Sequence, residues 1–240
     1  MSKIFHHWSS GKDSALSLYY LQKKQPITKL LTTINAESER VSMHGISKEM
    51  LIAQEESLGI EIKQIALDAD ASLSTYNKQM ETVYRTMLEE GFDTASFGDI
   101  LLEDLRAYRE NELDKIGMKY LFPLWGRDTK EVMQDFIAKG FKAVVVAVQA
   151  NKLSKDWVGR VVDENFLKDL PSGIDSSGEN GEYHTFVFDG PNFKKPINYK
   201  ISEIIQRSYS RNTDNEDNCF KEKEEQSWES DYYFANISLS

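Results

Sequence analysis

Short apolar runs alternate with helically spaced apolar positions through the first half of this chain. Ile4, Phe5 and Trp8 form a strand-like run, and Ala15, Leu16, Leu18, Tyr19 and Leu21 follow with helical character. Ile27 to Ile34 reads as a second strand, Met50 to Leu58 as a helix ending at Gly59, and Ile60 to Leu67 as a third strand. Tyr76, Met80, Val83, Tyr84, Met87 and Leu88 lie at i, i+4, i+7, i+8, i+11 and i+12, one face of a helix stopped by Gly91. Thr94 to Phe97 is a short strand, Glu103 to Ile116 a helix closed by Gly117, and Met118 to Phe122 a fifth strand. This alternation predicts an α/β fold: a five-stranded parallel sheet with helices on both faces.

The pattern changes after Leu124. Asp128 to Lys139 reads as a helix, Ala143 to Val148 as a fully buried strand, and Trp157 to Leu167 as a short helix. A Gly-rich loop follows Pro171, and then strand-like runs at Tyr183 to Phe188, Ile197 to Ile205 and Tyr232 to Ile237. A domain boundary is therefore expected near Leu124 to Arg127, giving units over 1–125 and 126–240, with a polar excursion near 210–230.

Composition narrows the function classes. At 240 residues the chain is long enough to bury a sizeable core. The formal charge of −10 weighs against a nucleic-acid partner, because phosphate neutralisation supplies most of that affinity. Cys219 is the lone cysteine, and no apolar run approaches the roughly 20 residues that span a bilayer. The N-terminal segment lacks a signal-peptide pattern, so a cytoplasmic location without membrane attachment is expected. Four histidines without metal-ligand spacing make a structural zinc site improbable.

Two polar clusters carry the chemistry. Trp8-Ser9-Ser10-Gly11-Lys12-Asp13-Ser14 lies between the first strand and first helix. Such a turn aims backbone N–H groups and a helix N-terminus at one anion, to which serine hydroxyls and Lys12 add donors. It is not a Walker A loop, which needs Gly-x4-Gly-Lys-Ser/Thr. The other reading is an ordinary turn with a Ser/Asp cap. The second cluster, Asp175-Ser176-Ser177-Gly178-Glu179-Asn180-Gly181-Glu182-Tyr183-His184-Thr185, runs into an apolar strand. Acids and a histidine there suit substrate orientation, Mg²⁺ contact or proton transfer; a solvated Gly-rich hairpin is the competing reading.

The first cluster resembles the Ser-Gly-Gly-x-Asp-Ser loop of N-type ATP pyrophosphatases. Together with Gly-Glu-Asn-Gly-Glu-Tyr-His-Thr near residue 180, it is similar to the diphthine–ammonia ligase family. Met43-His44-Gly45, Phe97-Gly98-Asp99-Ile100, the Arg106 to Glu112 helix and Pro123-Leu124-Trp125 extend the similarity. The resemblance implies a Rossmann-like ATP-binding domain over 1–125 followed by a smaller mixed α+β domain over 126–240, with cleavage of ATP to AMP and pyrophosphate, adenylation of a carboxylate and transfer of ammonia to it. It assigns the phosphates to Ser9, Ser10, Gly11, Lys12, Asp13 and Ser14, with Asp13 as a Mg²⁺ contact. Thr33, Ile34 and Asn35 would border the adenine. Catalytic roles fall to Lys12, Asp13, Asp99, Glu179, Glu182 and His184, and acceptor contacts to His44, Gly178, Asn180, Gly181 and Thr185. ATP, Mg²⁺ and ammonia are the implied cofactors and reactants. The acceptor would be an elongation-factor-like protein or a small carboxylate, and a homodimer is left open. A different acceptor or a non-catalytic ATP-binding module are the alternatives. Two positions depart from the family: Ser10 stands where Gly is usual, fitting only if its φ is negative, and Ser177 where Cys is common.

Overall fold

A computed structural model describes residues 2–41, 44–68, 72–209 and 230–240. Met43, Cys219 and the expected excursion over 210–229 lie outside the described residues. The chain runs β1 (Ile4–His7), α1 (Lys12–Gln22), β2 (Lys29–Asn35), β3 (Arg40–Val41), α2 (Lys48–Leu58), β4 (Glu61–Leu67), α3 (Leu73–Glu89), β5 (Thr94–Ser96), α4 (Glu103–Asp114) and β6 (Lys119–Leu121). It continues through α5 (Thr129–Ala138), β7 (Lys142–Gln149), α6 (Glu164–Asp169), β8 (Tyr183–Asp189), β9 (Tyr199–Tyr209) and β10 (Ser230–Leu239).

Five strands pair in parallel in the order β4-β2-β1-β5-β6. The two-residue β3 adds an antiparallel ladder at the end of β2, through Ile34↔Val41 and Asn35↔Arg40. The expected parallel sheet is therefore present, with that short hairpin added. Local chemistry sets the helix limits. Ser47, Ser72 and Asp128 accept from the backbone N–H three residues on, capping α2, α3 and α5. Gly59 closes α2 in the left-handed region at φ 67°.

The second sheet is antiparallel, in the order β8-β7-β10-β9. β7 is buried from Ala143 to Gln149, as its unbroken apolar run anticipates for a central strand. One hydrophobic core joins the two sheets: Ile4, Trp8 and Leu30 belong to the same cluster as Val144, Phe186 and Ile237. The short helix expected over 157–167 is corrected. A 3-10 turn at Lys155–Trp157 ends near Gly159, whose φ is 89°. Val161 bridges to Val144, and helix resumes only at Glu164, where Asp163 accepts from Phe166 N at 2.7 Å. No helix among the described residues is long and apolar enough to cross a membrane.

Candidate active site

β1 lies mid-sheet, with β2 on one side and β5 on the other. The chain builds outward through β2 and β4, then crosses by α3 to β5. Strand order thus reverses at β1 and β5, and a crevice opens beyond their carboxyl ends, where α/β sheets bind ligands. The Ser9–Ser14 loop and Phe97-Gly98-Asp99 face each other there. A Cβ on Gly98 would stand 3.0 Å from Asp13 C and Ser14 N, so a side chain there would press the two loops apart.

The loop is clamped from the second sheet. Ser10 O accepts from Val187 N at 2.9 Å, and Lys12 N donates to Thr185 Oγ1 at 3.1 Å. Gln54 donates from Nε2 to Val187 O (2.8 Å) and Ser10 O (3.2 Å), and its Oε1 accepts from Trp8 Nε1 at 2.8 Å. A Cβ on Gly11 would meet His44 Cε1 at 2.7 Å. Ser10 is held at φ 68°, a left-handed conformation that strains a non-glycine residue. The condition set by the sequence, a negative φ at Ser10, is not met. The Ser10 hydroxyl is also buried without a hydrogen-bond partner.

Charge is concentrated at the same point. Lys12 Nζ sits 2.8 Å from Asp13 Oδ2, and both side chains are largely buried. Asp13 Oδ1 is buried with no partner. Burial raises the Asp13 carboxyl above the usual range, outweighing the attraction of Lys12. Glu179 Oε2 receives long hydrogen bonds from Ile100 N (3.4 Å) and Leu101 N (3.3 Å), tying the second cluster to the loop after β5. Burial, reinforced by Asp13 and opposed by Lys12, lifts Glu179 to about 7. Two neutral imidazoles complete the group. His44 Nδ1 lies 3.0 Å from Thr185 O, so this nitrogen carries the proton and Nε2 offers a lone pair. Burial drops His44 to about 4, against that hydrogen bond, which raises it. The His184 ring lies 4.8 Å from His44, and its Nε2 is buried without a partner. Burial first, then His44 and Lys12, holds His184 well below its ordinary value.

The comparisons with known proteins speak to the whole chain. The diphthamide synthase N-terminal domain family matches residues 2–120, and the diphthamide synthase C-terminal domain family matches 128–233. The chain belongs to the diphthamide synthase family. The diphthine–ammonia ligase of Bos taurus is 33% identical over 125 residues, covering 50% of this chain and 47% of the bovine protein. That of Danio rerio is 30% identical over 158 residues, covering 62% of each. The chain thus spans about half the length of the mammalian relatives it matches. A solved structure from Methanocaldococcus jannaschii, described as a "predicted subunit of tRNA methyltransferase", is 20% identical and covers 81% of this chain and all of its own. Its TM-score is 0.42, too slight a likeness to inform function.

Other residues singled out in the sequence are placed less directly. Both oxygens of Glu182 are taken by its own loop: Oε1 by Asp175 N (3.2 Å) and Asn180 Nδ2 (3.1 Å), Oε2 by Asn180 N (3.0 Å). Gly178 and Gly181 take positive φ in that turn, and Asn180 is exposed at its tip. Asp99 pairs with Arg109, Oδ2 to Nε at 2.9 Å, while the guanidinium lies over Phe97. Ile34 sits in the core, Thr33 is half-buried, and Asn35 Oδ1 accepts from Glu37 N and Ser38 N to close a turn. Ser177 Oγ donates to Thr129 O in a buried contact, which ties it to α5. Among the described residues no three His, Cys, Asp or Glu side chains gather as a metal cluster. Gln54 was missed, and Asp175 was named in the second cluster without a role of its own. Gln54 interrupts the buried stripe Met50, Leu51, Leu58 of α2, which is the sign of a buried polar anchor. Asp175 Oδ1 accepts from Ser177 N and Glu179 N, an Asx turn that aims Glu179.

Proposed function

We propose that this chain is an ATP-dependent, AMP-forming amide ligase that activates a carboxylate on an acceptor protein and passes it to ammonia. The observation that carries this is the clamp between the two clusters. Val187 N to Ser10 O and Lys12 N to Thr185 Oγ1 hold the anion-type loop against Gly-Glu-Asn-Gly-Glu-Tyr-His-Thr in one crevice. Membership of the diphthamide synthase family and relatives named diphthine–ammonia ligase support the same reading.

A carboxylate resists ammonia because its carbon is shielded by charge and lacks a leaving group. Adenylation supplies one: the carboxylate oxygen attacks the α-phosphorus, pyrophosphate leaves, and ammonia then displaces AMP from the acyl carbon. In this reading Ser9, Ser10, Gly11, Lys12 and Ser14 hold the phosphates at the start of α1. Lys12 stabilises charge on departing pyrophosphate. Asp13, with an unpartnered hard oxygen, fits Mg²⁺, which when bound would neutralise phosphate charge. Glu179 takes the proton released as ammonia becomes amide nitrogen. His44 and His184 remain neutral, so they hydrogen-bond ammonia without protonating it. Glu182 and Asn180 shape the loop, and Asp99 anchors the opposite wall through Arg109.

We keep two further expectations as proposals: division into 1–125 and 126–240, and a cytoplasmic location. The acceptor is an elongation-factor-like protein carrying diphthine, or failing that a small carboxylate. Incubation with ATP, Mg²⁺, ammonium and acceptor should yield AMP, pyrophosphate and amide in equal amounts. Release of ADP and orthophosphate would overturn the assigned bond cleavage.

A further inference from the structure

β9 is the outer strand of the antiparallel sheet. One edge is bonded to β10, and among the described residues nothing pairs with the other. At 11 residues it is also the longest described strand. An edge of that length presents a row of free N–H and C=O groups to any second strand. It contains no proline, and its one irregularity, opposite Asn236/Ile237, leaves 203–209 in regular register.

The side chains define which strand would fit. Facing residues of an antiparallel pair share one side of the sheet, so a two-fold axis passes through a residue rather than between two. An axis through Glu203 sets that carboxylate against itself. An axis through Ile204 faces Glu203 with Ile205 and sets Arg207 opposite the irregular stretch before Glu203. An axis through Gln206 faces Arg207 with Ile205. Only the axis through Ile205, among these, sets Glu203 against Arg207 of a second copy and Arg207 against Glu203. Cross-strand pairs of opposite charge are the favourable kind, and like charges the unfavourable kind.

Two further observations agree. Arg207 is exposed and adds positive potential at Arg40, and among the described residues it forms no salt bridge with a carboxylate. Ile204 is 41% exposed on the other face, where its copy would lie diagonally across the new ladder. We propose that β9 pairs antiparallel with β9 of a second copy about an axis through Ile205, joining the two antiparallel sheets into one.

Sedimentation velocity on the full chain over a dilution series tests this. The wild type should dimerise, and Glu203→Arg and Arg207→Glu should each weaken the dimer by about tenfold or more, since each turns two attractive pairs into repulsive ones. Far-UV circular dichroism checks that each variant is folded. Mixing the two variants sets opposite charges at both pairs, so dimers should reappear in the mixture. The doubly exchanged E203R/R207E chain should dimerise like the wild type, which holds even if one single variant folds poorly. A wild type that stays monomeric at about 100 μM, single variants that dimerise unchanged, or a mixture and double variant that fail to recover would each overturn the proposal.

Discussion

His6 should make the fold acid-sensitive by a calculable amount. Its ring is fully buried between β1, β5 and α1. Nε2 lies 3.0 Å from Ser14 O and Nδ1 3.2 Å from Ser96 Oγ. A carbonyl can only accept, so Nε2 carries the proton and Nδ1 accepts from the serine hydroxyl. The neutral ring is thus satisfied, and a second proton has no solvent to stabilise it. Burial pulls the ring from 6.5 to about 4, against the bonds to Ser14 and Ser96, which raise it. Between these values the unfolded chain binds the proton and the folded chain does not. Stability is therefore full above pH 6.5 and falls as pH drops toward 4. At about 1.4 kcal/mol per unit, the His6 contribution is about 3 kcal/mol. His44, His7 and His184 act in the same direction, while Glu179, raised to about 7, acts oppositely. A difference measurement isolates His6. His6→Gln keeps a donor and an acceptor but gains no proton. Urea unfolding of both proteins at pH 7, 6, 5 and 4, followed by tryptophan fluorescence, gives the stability gap at each pH. Whatever the gap at pH 7, the wild type should lose about 3 kcal/mol relative to His6→Gln by pH 4. A gap constant to about 0.5 kcal/mol would refute the claim that the buried ring stays neutral.

Four other outcomes are expected. Ser10→Gly should raise stability by about 1–2 kcal/mol in urea unfolding, because it relieves the left-handed strain and removes a buried hydroxyl, less the entropy glycine adds to the unfolded chain. Gln54→Leu should cost about 2–4 kcal/mol in the same assay, since Trp8 loses its acceptor and Val187 O its donor. Lys12→Ala should lower turnover more than ATP affinity, as calorimetry and steady-state rates would show together. The rate of amide formation at saturating ammonia should rise through pH 7 as Glu179 ionises; Glu179→Gln should abolish that inflection while still binding ATP.

Much of the fold was written in periodicity. The helical stripe from Tyr76 to Leu88 and the β-branched run of β7 each produced the element they predict, because burial of one face or of both faces leaves a direct trace in sequence. Stop signals were equally plain at Gly59. The region 155–169 misled because its apolar residues serve three short pieces, a turn, a bridge and a six-residue helix, whose limits depend on one Asp163 cap. In the site, the residue types of both clusters were visible, but their mutual contact was not. The bond from Lys12 N to Thr185 Oγ1 spans 173 positions, and no local pattern encodes it. The partners of Gln54 were hidden for the same reason: they are Trp8 just after β1, Ser10 in the loop and Val187 of β8.

Several of the places where this chain breaks local rules lie together. Ser10 holds a conformation that favours glycine, Asp13 Oδ1 and His184 Nε2 are buried without partners, and Glu179 is lifted toward neutrality. Each costs the fold something on the order of 1–3 kcal/mol, and none is needed to form either sheet. They lie in or beside the crevice beyond β1 and β5; Glu39 at φ 50° and the buried, unpartnered Thr32 Oγ1, Gln64 Oε1 and Gln79 Oε1 stand apart from it. Strain of this kind beside the carboxyl ends of β1 and β5 agrees with the function proposed above, since binding sites carry such costs. In that reading a bound anion would accept from Ser10 Oγ, and Asp13 Oδ1 would help hold a cation. Ligand binding should therefore stabilise this protein by more than its loop hydrogen bonds alone imply, because it also removes penalties the free chain carries.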